Sequence, residues 1–66
     1  MRILINGQHR EFTAGSTLQD VVDERNALSA GIAIAVDGEL VPRTAWAVTE
    51  LSPGAAVEIV TAMQGG

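Results

Sequence analysis

The sequence predicts an α+β fold in which one helix packs across one face of a four- to five-stranded mixed sheet. Two observations predict the strands. The turn signals Asn6-Gly7 and Asp37-Gly38 each follow an apolar, β-branched run, and each is typical of a two-residue hairpin. A third observation predicts the helix, because apolar residues recur at helical spacing between the two hairpins. No linker or repeat interrupts the order, so we expect a single domain over residues 1–66.

The first hairpin is predicted to consist of a strand over residues 1–6 and a second strand over about residues 8–13. Successive side chains of a strand point to opposite faces of the sheet. We therefore expect Met1, Ile3 and Ile5 in the core and Leu4 on the outer face.

The helix is predicted to follow directly, over about residues 17–26. The sequence Ser-Thr-Leu-Gln matches a capping box in which the Ser16 hydroxyl and the Gln19 side chain satisfy backbone donors at the helix start. The apolar stripe toward the sheet consists of Leu18, Val21 and Val22. The other face carries Asp20, Asp23 and Glu24. Because no histidine accompanies these acids, we interpret them as a solvated surface and not as a metal or acid–base site.

The second half of the chain predicts further strands. The apolar run Ile32–Val36 predicts a central strand that is covered on both faces. Residues 39–41 predict a short edge strand that ends at Pro42, because proline cannot donate to a ladder. Residues 43–46 predict a turn or short helix that buries Trp46 in the core.

Ser-Pro-Gly at residues 52–54 indicates a type II turn before the last strand, residues 56–60, in which Val57 and Ile59 share the core face. A right-handed crossover from the hairpin places the first strand beside the last one at the centre of the sheet. This is the β-grasp, or ubiquitin-like, arrangement. It projects a flexible tail, residues 61–66, from a rigid central strand. A ferredoxin-like fold is disfavoured because a second full helix is missing.

Composition excludes several classes of protein. The net charge of −4 argues against nucleic acid binding, which needs a basic surface. The apolar runs are shorter than the roughly 20 residues that span a bilayer, so we expect no membrane association. The first residues lack the features of a signal peptide, and a cytoplasmic location is therefore expected. The absence of cysteine excludes disulfides and thiolate metal sites.

We expect no catalytic site on this chain. It is too small for an ordinary catalytic cleft, and it contains neither a glycine-rich phosphate loop nor a metal-ligand constellation. His9 has no nucleophile or acid placed to act with it, so we interpret it as a solvent-facing strand residue. We therefore expect no bound cofactor and no metal, and a protein that is handled by an enzyme.

The terminal Gly65-Gly66 pair points to chemistry at the C-terminus. A free α-carboxylate is an anion at neutral pH, so a partner must activate it, most simply as an acyl-adenylate. Glycine has no Cβ to crowd the carbonyl. We therefore expect Gln64 and Gly65 to thread into the active site of a partner and to present Gly66 there. The alternative interpretation is a frayed tail without function.

Several segments together resemble a known family. They are Ile-Asn-Gly after the first strand, Ala-Gly-Ser-Thr-Leu at residues 14–18, Leu-Val-Pro-Arg at residues 40–43 with Trp46, Pro-Gly at residues 53–54 and the terminal Gly-Gly. The chain resembles the ThiS family, the sulfur carrier proteins of thiamine biosynthesis, from end to end. The most specific parts of the resemblance are Val-Pro-Arg with Trp46 and the terminal pair.

The resemblance implies a definite role for the tail. An E1-like adenylyltransferase, related to the ubiquitin-activating enzymes, would use ATP to adenylate the carboxylate of Gly66. A persulfide sulfur donor would then convert it to a thiocarboxylate, from which thiazole synthase would take the sulfur. ATP thus belongs to the activating partner.

Recognition by such partners requires an exposed surface. We expect an apolar patch in which Leu4 lies beside Val60, continued toward the tail by Ala62 and Met63. The alternative is a set of isolated surface apolar residues, which are normal. Arg43 is interpreted as a turn residue, with a partner contact as the alternative.

Two other functions stay open at this point. The small subunit of molybdopterin synthase shares the fold, the diglycine terminus and the thiocarboxylate, although this chain is shorter than expected for that family. The other is a ubiquitin-like binding or conjugating module with no sulfur role. Partner binding and function that survive deletion of Gly65 and Gly66 would distinguish this module from a carrier.

Overall fold

A computed structural model describes residues 1–25 and 31–61 of the chain. These residues contain five strands and two helical segments, and the predicted α+β fold is confirmed. The strands are β1 (Arg2–Ile5), β2 (Gln8–Glu11), β3 (Ile32–Val36), β4 (Glu39–Val41) and β5 (Ala56–Thr61). The helical segments are α1 (Leu18–Glu24) and a 3₁₀ helix (Arg43–Val48).

The strands form one sheet in the order β2-β1-β5-β3-β4. β1 pairs with β5 in parallel, and the other neighbouring strands are antiparallel, so the sheet is mixed. The last strand therefore lies at the centre beside the first, as the sequence predicts for a β-grasp. β4 is an edge strand, and Pro42 follows it directly.

Both predicted hairpin turns are present. Asn6 and Gly7 have φ angles of 51° and 83°, and Asp37 and Gly38 have φ angles of 50° and 87°. Positive φ at both central residues defines the type I′ turn, whose twist matches that of the strands it joins. Each turn closes its hairpin without an extra residue, because the two flanking residues are paired.

The capping box lies one residue later than the sequence predicts. Thr17 is the N-cap: its hydroxyl accepts a hydrogen bond from the Asp20 amide at 3.3 Å, and the Thr17 amide donates to Asp20 Oδ2 at 2.9 Å. Ser16 is engaged elsewhere, since its hydroxyl donates to the Thr13 carbonyl and its own carbonyl accepts from the Leu51 amide. The assignment of Ser16 and Gln19 as the capping pair is therefore wrong, and the helix is shorter than predicted.

One hydrophobic core lies between the sheet and the two helical segments. The alternation predicted for β1 is confirmed, because Ile3 and Ile5 are fully buried while Leu4 is not. Trp46 is also buried, as predicted, and its indole Nε1 donates to the Val41 carbonyl at 2.9 Å. The core residues are Ile3, Ile5, Leu18, Val21, Val22, Ile34, Trp46, Leu51, Ala55 and Val57.

The expectation that β3 is covered on both faces is wrong. Ile34 is buried against the helix side, but Ala33 is exposed on the other side of the sheet. The reason is that α1 and the 3₁₀ helix contribute to the same core, so both cover the same face. We refer to the uncovered side of the sheet as the open face.

The connection from the 3₁₀ helix to β5 also has its predicted turn. Gly54 has a φ of 85°, and the Ala55 amide donates to the Ser52 carbonyl at 3.0 Å, as a type II turn requires.

β2 is shorter than predicted and ends at Glu11. Neither helical segment in residues 1–25 and 31–61 has the length and apolar character needed to cross a membrane.

The position of the capping box gives a prediction. Thr17→Ala removes the hydroxyl that accepts from the Asp20 amide, and we expect the free energy of unfolding to fall by about 1 kcal/mol. Gln19→Ala removes only the contact of Gln19 with Asp23, worth about 0.2–0.5 kcal/mol on a helix surface. Urea denaturation of the two variants measures both values. A larger loss in Gln19→Ala than in Thr17→Ala would contradict the assignment.

Candidate functional site

The strand that leads to the C-terminal tail is held from both sides. On the β1 side, the Leu4 amide donates to the Ala55 carbonyl and the Asn6 amide donates to the Val57 carbonyl, each at 2.9 Å. On the other side, β5 pairs with β3 from Val57, opposite Val36, up to Thr61, opposite Ile32. The chain therefore reaches residue 62 from a central strand beside the start of β3.

Five of the predicted site residues lie outside the described part of the chain. They are Ala62, Met63, Gln64, Gly65 and Gly66. Their predicted roles, activation at Gly66 and threading by Gln64 and Gly65, stay predictions. The other two predicted site residues, Leu4 and Val60, are both described.

Leu4 and Val60 lie on the open face but do not lie side by side. The register places Leu4 opposite Ala56 and Val60 opposite Ala33. Ala56 and Val60 are four residues apart in β5, which corresponds to about 13 Å along an extended strand. The expectation that Leu4 lies beside Val60 is therefore wrong. β1 pairs with the first half of β5 and ends at Ile5, so it does not extend alongside Val60.

Val60 instead belongs to an apolar strip that crosses β5, β3 and β4. Its neighbour across the β5–β3 ladder is Ala33, and Leu40 lies opposite Ala35 on the adjoining ladder. Val60 is 59 % exposed and Leu40 is 76 % exposed, which is high for large apolar side chains. We refer to Val60, Ala33, Ala35 and Leu40 as the open-face strip.

Leu40 belongs to this strip but was not predicted from the sequence. Strand alternation places Leu40 on the face opposite Val41, but only the structure shows that Val41 packs against the core. Glu58 of β5 lies opposite Ala35 of β3 and is exposed, so one acidic side chain borders the strip. An apolar surface with a polar border is typical of a protein-binding site.

The titratable side chains His9, Asp20 and Asp23, which the sequence predicts on the surface, are all exposed. His9 is exposed on β2 opposite Leu4, which confirms the predicted solvent-facing position. Asp20 and Asp23 are exposed and form hydrogen bonds within the helix region. The Asp20 carboxylate accepts from the Thr17 amide, and the Asp23 carboxylate accepts from the Gln19 side chain. Within the described ranges, no three histidine or acidic side chains are close enough to hold a metal ion.

Arg43 is the first residue of the 3₁₀ helix and is exposed. Its guanidinium carbon lies 5.1 Å from the centre of the Trp46 ring, within the range of a cation–π interaction. This contact supports the interpretation of Arg43 as a residue of the turn that holds Trp46. A contact of Arg43 with a partner stays a prediction.

The model of the ThiS family matches residues 3–66 of the chain. A protein of Paramagnetospirillum magneticum named thiazole synthase is 32% identical over 66 residues, which are 100% of this chain and 20% of that protein. The chain thus spans about a fifth of the length of that relative. The sulfur carrier protein ThiS of Escherichia coli is 30% identical over 66 residues, which are 100% of both chains.

Two solved structures share the fold. The crystal structure of the thiamine biosynthesis protein ThiS from Geobacter metallireducens has a TM-score of 0.86 and 23% identity, with 100% of both chains covered. The solution structure of a thiamine biosynthesis protein from the same organism has a TM-score of 0.79 and 23% identity, with 100% of this chain and 88% of the other covered. These similarities establish the ubiquitin-like β-grasp fold.

The two faces of β5 give a second prediction. Val57→Thr places a hydroxyl in the core, and we expect it to lower the free energy of unfolding by about 1–3 kcal/mol. Val60→Thr makes the same chemical change on the open face, where we expect an effect within about 0.5 kcal/mol. Urea denaturation measures the difference. Equal losses in the two variants would contradict the exposed position of Val60.

Proposed function

The chain belongs to the ThiS family, and we propose on this premise that it is a sulfur carrier protein of thiamine biosynthesis whose Gly66 carboxylate becomes a thiocarboxylate. One observation carries the proposal. The match to the sulfur carrier of Escherichia coli covers 100% of both chains, and the family match extends to Gly66 itself. The residue that must react is therefore included in the similarity.

The chemistry requires activation before sulfur transfer. A carboxylate oxygen of Gly66 attacks the α-phosphorus of ATP, and pyrophosphate leaves, which gives an acyl-adenylate. The terminal sulfur of a persulfide then attacks the acyl carbon and displaces AMP. Cleavage of the resulting S–S bond by a thiol leaves the thiocarboxylate on Gly66. The first step belongs to an E1-like adenylyltransferase, which binds the ATP.

The composition of the chain suits such an intermediate. An acyl-adenylate reacts with amines and thiols, and Lys ε-amines and Cys thiols are the common protein nucleophiles of these kinds. The chain has no cysteine, and its four basic residues are all arginine. The activated terminus therefore meets neither a thiol nor a lysine on these 66 residues, which favours its survival until the sulfur donor reacts.

Thiazole synthase is the proposed acceptor of the sulfur. The relative that is named thiazole synthase contains, within a longer chain, a region that matches the whole of this protein. Such a match supports a functional link between the two activities. In this proposal the thiocarboxylate of Gly66 supplies the sulfur of the thiazole ring, and the carrier acts as a co-substrate of both enzymes.

The open-face strip is the proposed contact for the activating partner. Val60 is two residues from Ala62 in sequence, so the strip lies at the end of β5 that precedes the tail. A partner that covers Val60 and Leu40 gains the burial of two largely exposed apolar side chains. It thereby holds the carrier close to the point from which the tail extends.

Intact mass spectrometry tests the reaction at Gly66. The protein is incubated with ATP, the cognate adenylyltransferase and a persulfide donor, and we expect a mass increase equal to replacement of one oxygen by sulfur, located in the C-terminal peptide. A variant without Gly66 is the control and should keep its mass. An unchanged mass of the complete chain with a demonstrably active enzyme would overturn the proposal. Isopeptide linkage to a lysine of another protein would indicate a conjugating module.

A second test addresses the open-face strip. Val60→Glu places a charge on the strip, and we expect KM of the carrier in adenylation to rise about tenfold, since desolvating the carboxylate costs well over 1 kcal/mol. Val48→Glu is the matched control, because Val48 is 81 % exposed but lies on the 3₁₀ helix. ATP–pyrophosphate exchange measures KM for both variants. Equal effects would argue against the strip.

A further inference from the structure

The amide side chain of Asn6 bonds to the main chain of β5 beyond the point where β1 ends. The Ile59 amide donates to Asn6 Oδ1 at 2.8 Å, and Asn6 Nδ2 donates to the Ile59 carbonyl at 3.4 Å. The two residues are 53 positions apart in sequence. A donor and an acceptor on one side chain therefore continue the ladder that the backbone of β1 no longer supplies.

The position of this contact on β5 is set by strand alternation. The Ala55 carbonyl accepts from the Leu4 amide and the Val57 carbonyl accepts from the Asn6 amide, so the odd-numbered residues along this stretch direct their main-chain groups toward the first hairpin. Ile59 is the next in this series. Its amide would face solvent on this side if Asn6 did not accept from it. Asn6 thus determines whether the second half of β5 is bonded on both sides or only to β3.

We propose that Asn6 is a positioning residue for the C-terminal tail. By closing the ladder at Ile59, it fixes the direction of β5 up to Thr61, the last described residue before the terminus that reacts in the proposed function. This inference rests on the proposed function. It assigns Asn6 no contact with the partner and no part in the chemistry at Gly66.

Asparagine suits this role better than the other residues that are common in hairpin turns. Type I′ turns also accept aspartate or glycine at this position. An ionised aspartate accepts but does not donate, so it would leave the Ile59 carbonyl facing a carboxylate, and glycine would supply neither group. The amide of Asn6 satisfies both main-chain groups of Ile59 while its backbone keeps the positive φ that the turn needs.

The other hairpin provides a matched control. Asp37 occupies the equivalent turn position with a φ of 50°, and its Oδ1 accepts from the Ala56 amide at 3.0 Å. It therefore also joins a turn side chain to β5, but at the start of the strand. Asn6→Gly and Asp37→Gly each remove one such side chain, and glycine tolerates the positive φ at both positions.

The experiment compares these variants in three measurements: adenylation kinetics with the cognate adenylyltransferase, amide hydrogen exchange and urea denaturation. In Asn6→Gly we expect KM of the carrier to rise about fivefold with kcat unchanged, which corresponds to the loss of about one net hydrogen bond. We expect protection of the Ile59 amide to fall about tenfold. In Asp37→Gly we expect KM within about twofold of the wild-type value, with lost protection at Ala56 instead.

Each other outcome has a defined meaning. An unchanged KM in Asn6→Gly, or an equal rise in Asp37→Gly, overturns the inference. So does a fall in kcat without a change in KM. If Asn6→Gly does not fold while Asp37→Gly does, Asn6 is a folding residue and the positioning role is rejected. If the wild-type chain is not adenylated at all, the proposed function itself fails, and the inference fails with it.

Discussion

The parallel pairing of β1 with β5 is the constraint on which the rest of the structure depends. It joins the first and last strands, and it makes β5 a central strand instead of an edge. Two residue pairs define its register, Leu4 with Ala56 and Ile5 with Val57. Because this overlap is short, the second half of β5 extends past β1. That half carries the exposed Val60 and leads to the tail, so the site begins where the parallel pairing stops.

The core is one-sided, and this has a functional consequence. The helix and the 3₁₀ helix cover one face of the sheet, where each fully buried Ile, Leu or Val contributes about 1.5–3 kcal/mol. A domain of this size buries only about 60% of the surface of its unfolded chain, so most of its apolar residues must serve this core. Val60 and Leu40 do not contribute to it. Their exposure is consistent with a surface that partners cover, and substitution there is expected to have little effect on the stability of the fold.

Features that depend on local rules could be predicted from the sequence, whereas features that depend on register could not. Hairpin turns follow from two-residue signals, and the buried face of β1 follows from alternation, so both were predicted correctly. The prediction of Ser16 as the capping residue is wrong because Ser16 forms hydrogen bonds with Thr13 and Leu51 instead, and Leu51 is distant in sequence. The separation of Leu4 from Val60 depends on how far β1 extends along β5, which no periodicity reveals. The role proposed for Gly66 rests on the terminal Gly-Gly pair and on the sequence similarity, because that residue lies outside the described ranges.

The two type I′ turns show where local rules stop. Asn6 and Asp37 have nearly the same φ, follow the same kind of strand and are equally good turn residues by propensity. Both side chains also reach β5, so even side-chain bonding to the central strand does not separate them. They differ in the residue of β5 to which each side chain is hydrogen-bonded. Asp37 accepts from the Ala56 amide, where β5 begins, and Asn6 accepts from the Ile59 amide, beyond the end of β1. A side chain that sequence alone assigns to a turn thus acquires a different role through the tertiary register: at Ile59, Asn6 extends the bonding of β5 toward Thr61, the last described residue of the strand.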